Sequence, residues 1–127
     1  MKKYALMIVV LVMGLSMAAG VFAADKDAIK MQVDEIVMAI DGGKTAADFK
    51  DAANMKPNYV YIMEEDGTLV VHPSLEGKSL KEAAMPAYEA VMKATPEGTW
   101  VMYEWDGAEK NAYVRKTKGG EIVGSGY

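Results

Sequence analysis

The stretch Tyr59–Pro73, YVYIMEEDGTLVVHP, decides the fold. Tyr59, Tyr61 and Met63 alternate with Val60 and Ile62, Asp66-Gly67 tolerates the positive φ of a tight turn, and Leu69-Val70-Val71 brings the chain back, which predicts a β-hairpin. Proline has no N–H to give to a strand ladder, so the return strand stops at His72-Pro73. The chain's single histidine therefore stands where a side chain can look into whatever the sheet covers.

Two helices are predicted before the hairpin. Ala28, Ile29, Val33, Ile36, Val37 and Ile40 recur at helical spacing, opposite a face carrying Lys26, Lys30, Asp34 and Asp41, and Gly42-Gly43 supplies the stop. Thr45 with Asp48 resembles a capping box and opens a shorter helix that ends before Pro57. After the hairpin, Ser79 with Glu82 gives a second capping box, and Pro86 divides a short turn over Leu80–Ala84 from a fresh helix. The remainder is strand: Trp100–Trp105, a turn at Asp106-Gly107, Lys110–Lys118, a turn at Gly119-Gly120, and Glu121–Tyr127. Five strands in two runs separated by helix predict an α+β domain, one antiparallel sheet with a long N-terminal helix and the helices on one face.

Lys2 and Lys3, the apolar run Tyr4–Leu15 and the small-x-small triplet Val21-Phe22-Ala23 have the pattern of a secretory signal peptide, with an uncleaved membrane anchor as the alternative. Cleavage after Ala23 makes 1–23 the signal and 24–127 one domain, periplasmic or secreted. Loss of the two lysines takes the net charge from −4 to −6. An acidic domain of this kind is a poor partner for nucleic acid or anionic membranes, both of which select a basic face. With no cysteine in the chain, disulfides, thiolate metal sites, thioether-linked haem and thiol nucleophiles are excluded. A lone histidine and serines without triad context give no catalytic constellation, and Glu64-Glu65-Asp66 lacks the spacing of an EF-hand loop. The expectation is a non-enzymatic domain without cofactor or metal.

Five pieces, YVYIMEEDG, LVVHP with Leu75-Glu76-Gly77-Lys78 after it, GTWVMYEW, Lys110–Val114 and Val123–Tyr127, together resemble the single Cache family of extracytoplasmic sensor domains found in chemoreceptors and histidine kinases. The chain departs from the family's pattern after Gly77, where Met85-Pro86 replaces the usual turn. The resemblance implies a PAS-like fold with a small-ligand pocket on one sheet face, and ligands of the acetate, propionate, pyruvate or lactate class. Since the sequence stops at Tyr127 without a HAMP or kinase segment, the expected role is binding without signalling output of its own, presented to a membrane receptor or kinase. The family also allows a homodimer through the N-terminal helix, and a ligand-free interaction module is the alternative function.

A carboxylate leaving water needs a cation and neutral donors in place of its hydration. Lys110 matches the family's cation position, with a solvated lysine beside a turn as the plain alternative; Arg115 is the second candidate, its planar fork suited to a bidentate grip. The resemblance puts His72 at the pocket mouth, and an anion touching it raises its pKa, so affinity is expected to strengthen as pH falls toward about 6. Tyr59, Tyr61, Tyr103 and Tyr113 join the candidate ligand-binding set, because a tyrosine ring packs while its hydroxyl donates. Alternation puts Lys110 and Tyr113 on opposite faces unless a bulge displaces one of them.

Overall fold

The computed structural model describes residues 25–56 and 58–127. The expected signal peptide lies outside these residues.

Helix α1 (Lys26–Asp41) is capped by Asp25, whose carboxylate accepts the Ala28 N–H at 3.0 Å, and closes at Gly42 and the positive-φ Gly43. A 3-10 segment follows at Ala46–Asn54, with the Thr45 N–H donating to the Asp48 carboxylate at 2.9 Å. Strands β1 (Val60–Met63) and β2 (Leu69–Val71) form the predicted hairpin. Helices α2 (Leu80–Ala83) and α3 (Met85–Val91) break at Ala84, and Pro86 sits in the first turn of α3, as its missing N–H requires. Strands β3 (Thr99–Trp105) and β4 (Ala108–Lys116) meet at Asp106-Gly107, both with positive φ, and β5 (Ile122–Gly126) closes the sheet. Its order is β2-β1-β5-β4-β3, antiparallel throughout, so the last strand is the middle one.

The α+β class, the five strands and the long first helix are as expected. The helices, however, divide between the two faces of the sheet. Ile29, Val33, Ile36 and Val37 of α1, with Ala52 and Ala53 of the 3-10 segment, cover Val60, Ile62 and Val123. Leu80, Ala87 and Val91 cover the opposite set, Tyr61, Met63, Val114 and Ile122. The reason is in β1: every one of its side chains is apolar or aromatic and all four are buried, so neither face of that strand can be left to water.

The buried end of β5 is made of small residues for a steric reason. A side chain on Gly124 would enter the Tyr61 ring, with its Cβ 2.5 Å from Cζ, and one on Gly126 would meet the backbone of Asn111 and Ala112. Ser125 between them is fully buried and satisfied, its hydroxyl donating to the Tyr59 carbonyl at 2.7 Å.

Candidate functional site

The β3–β4 register runs without a break from Thr99↔Val114 to Trp105↔Ala108. The alternation is therefore strict, and it sorts the four candidate residues on these two strands. Lys110 pairs with Tyr103 on the face covered by α2 and α3, whereas Tyr113 and Arg115 point to the face covered by α1.

On the first face, Tyr59 and Tyr61 from the β1 side, His72 just past β2, Tyr103 and Trp105 from β3, and the aliphatic Leu69 and Leu80 enclose one cavity. Its free volume is about 10 Å³, room for roughly one water. The Tyr61 and Tyr103 hydroxyls lie 3.2 Å apart. Burial holds the Tyr61 hydroxyl well above its ordinary pKa and pushes Tyr103 up to about 12, so both are neutral donors at physiological pH. The Lys110 ammonium donates to the Tyr59 hydroxyl at 3.3 Å and lies 4.6 Å from the centre of that ring, a cation–π placement at the cavity's edge.

His72 is 8% exposed, and its ring packs against Tyr59, Tyr61 and Trp105 at centroid distances of 5.7–6.4 Å. Its Nδ1 accepts two backbone N–H groups, from Ser74 and Leu75, each at 3.0 Å. Nδ1 is thereby an acceptor and the proton belongs on Nε2, which has no hydrogen-bond partner among the described residues. Burial, and then the Lys110 charge, lower the pKa of His72. Protonating Nδ1 would also break both backbone bonds. With Nδ1 committed as an acceptor, the neutral imidazole presents Nε2–H as a donor, and burial and the two backbone bonds work against the protonation that a bound anion favours.

Tyr113 and Arg115 take no part in this cavity. Arg115 pairs with Asp34 of α1 at 3.0 Å and donates from Nε to the Pro96 carbonyl at 2.7 Å. The Tyr113 hydroxyl lies 3.0 Å from the Glu97 carbonyl and 3.2 Å from Asp34 Oδ1. Lys30 holds the other Asp34 oxygen at 2.9 Å. Burial pushes the Asp34 carboxyl up, but the hydrogen bonds from Lys30, Arg115 and Tyr113 outweigh it and keep the group below its usual pKa. These two residues join α1 to the sheet.

Trp105, Leu69 and Leu80 are wall residues that reading by residue type passed over. Trp105 was accessible through alternation, since it shares a strand face with Tyr103; the two leucines carry no polar signal.

No protein-family model matches the chain, and no curated protein matches it. Solved structures do. A methyl-accepting chemotaxis protein from Vibrio parahaemolyticus RIMD 2210633 superposes with a TM-score of 0.54 at 16% identity, over 80% of this chain and 84% of that one. The ligand-binding domain of Mlp24 with asparagine gives a TM-score of 0.44 at 12% identity, over 65% of this chain. That of the Pseudomonas fluorescens chemoreceptor CtaA in complex with L-alanine gives 0.42 at 22%, over 63%. The matched part is about a third of each of the latter two chains, 34% and 35%. The five-stranded antiparallel sheet between two helical layers agrees with the Vibrio structure over most of both chains, so this protein shares the fold of that methyl-accepting chemotaxis protein.

Proposed function

We propose that the protein is an extracytoplasmic binding domain for a short monocarboxylate, exported by cleavage after Ala23, that reports its bound state to a membrane receptor or kinase. One observation carries the reading: five of the seven candidate residues, drawn from four strands or their ends, converge on one cavity, with Lys110 at its edge. The site offers one cation, the Tyr61 and Tyr103 hydroxyls and the His72 Nε2–H. That inventory suits an anion of one charge. The cavity wall has no aspartate or glutamate, so the ammonium of an amino acid would enter unpaired, and that costs more than its carboxylate recovers. A ligand larger than water enters only if Lys110 leaves the Tyr59 hydroxyl and the half-buried Tyr59 or Trp105 ring swings outward.

The same small volume favours a second reading, an interaction module whose pocket is filled by its own rings. Titration calorimetry and thermal shift on verified ligand-free protein separate the two. Acetate, propionate, lactate and pyruvate should include at least one binder, and alanine and asparagine none. Silence across all four acids would overturn the carboxylate reading. Mass spectrometry of the exported protein tests the cleavage, with a mature chain beginning at Ala24 as the expected result.

A further inference from the structure

On the side of the molecule away from the cavity, α1 and the 3-10 segment do not close over each other. Between them is a groove of about 330 Å³ with Ile36, Phe49, Ala52 and Met55 along its floor and sides. Met55 is 37% exposed, and its sulfur is approached by the Gln32 amide at 3.9 Å. On the adjoining outer stripe of α1, Met31 and Met38 are 59% and 66% exposed, one turn to either side of Glu35. Unbranched thioether side chains on an open surface adapt to the shape of an incoming apolar group, and none of these three is needed to complete the core.

The rim of the groove is acidic. Glu35, Asp48 and Asp51 all line it and all are exposed. Lys44 acts on Asp48 from outside, and Lys50 is occupied with Glu76 at 2.7 Å, so the rim keeps an excess of negative charge. Apolar floor and acidic rim together specify a complement. A side chain with an aliphatic stem and a cationic head lies along Phe49 and Met55 and ends on a carboxylate. A second copy of this chain, docked on the same patch by a two-fold axis, brings the three carboxylates toward their own counterparts.

We propose that this groove docks a basic amphipathic helix of a partner protein, with lysine or arginine flanking one or two apolar anchors. The mode is a helix laid between two helices, and the charge ring provides steering and selectivity while the methionines provide contact area. It does not depend on the cavity holding a ligand.

The test uses the mature protein and a fluorescent peptide of about 15 residues with Lys and Leu at helical spacing, against a Glu and Leu counterpart of the same pattern. Anisotropy should show binding of the basic peptide alone, and the Met55 and Met31 methyl resonances should shift on titration. Glu35→Lys with Asp51→Lys should weaken binding by about tenfold or more. Glu82→Lys with Glu89→Lys, the same charge change on the α2–α3 side, should leave it within about twofold. Equal weakening by both pairs, shifts confined to other methionines, or no binding of the basic peptide would overturn the proposal. A wild-type dimer in sedimentation that buries Met31 and Met55 would assign the groove to a second copy instead. Folding of each variant is checked by its unchanged denaturation midpoint.

Discussion

Asp34→Asn tests whether the cluster beneath β4 is structural. The substitution keeps the shape of the side chain and one carbonyl acceptor, but removes the charge that Arg115 and Tyr113 address at 3.0 and 3.2 Å. Hydrogen bonds to charged groups contribute about 1.5–3 kcal/mol and neutral ones about 0.5–1.5. The exchange therefore costs about 1 kcal/mol at Arg115, where both side chains are under a quarter exposed, and a smaller amount at Tyr113. Lys30 is half exposed and solvent screens its share, so nothing is assigned to it. The total is about 1–2 kcal/mol, which in a domain of this size lowers Tm by about 5–10 °C. The pH dependence adds a second constraint. A folded pKa below the unfolded value near 3.8 means that the carboxylate's contribution is fully present above that value and is lost as pH falls through the folded pKa. Urea denaturation of wild type and variant should thus give a constant gap from about pH 8 to pH 5 that closes on further acidification. A gap under about 0.5 kcal/mol at neutral pH, or one that persists in acid, would refute the reasoning.

Other substitutions separate the cavity from the frame. Lys110→Met should abolish the calorimetric response to a binding acid while changing stability by no more than about 1 kcal/mol, the scale of a cation–π contact near the surface; Arg115→Gln should do the reverse. For His72 the lowered pKa makes stability greatest above the unfolded value of 6.5 and has it decline as pH falls toward the folded pKa. His72→Phe should remove that decline in a thermal-shift series. Gly124→Ala puts a methyl group where the Tyr61 ring lies, and should cost about 1–3 kcal/mol in urea and weaken acid binding together, because the ring that moves is a cavity wall.

What could be read from the residues was whatever local chemistry fixes. Asp66-Gly67, Asp106-Gly107 and the two capping boxes placed the turns and helix starts, and Pro86 marked the break between α2 and α3, because each acts within about four residues. Alternation along β3 and β4 put Tyr103 with Trp105 and Tyr113 with Arg115, and both pairings stand. Which face met the ligand cavity was a different matter. It depends on α1 crossing β4 and β5 so that Asp34 meets Arg115, a contact between residues 81 positions apart with no local signature. The two-sided burial of β1 was visible in VYIM, where neither alternate set is polar, yet a half-covered sheet was expected. The neutral state of His72 depends on two amides from the loop that follows it, which only the folded backbone brings within 3.0 Å.

The central position of β5 has a consequence for how the sheet is assembled. A chain appearing from its N-terminus makes the β1–β2 hairpin first and the β3–β4 hairpin some forty residues later, and the two share no strand pairing until Ile122–Gly126 enters between them. Val60 waits for Ser125, and Tyr113 waits for the same residue from the other side. Until then β1 and β4 each expose an open edge, and that of β1 is apolar on both faces, the form in which chains add to one another. Pairing β5 with β4 is local, whereas pairing it with β1 closes a long loop at an entropic cost, and a chain cut before Val123 retains two hairpins with no strand to join them.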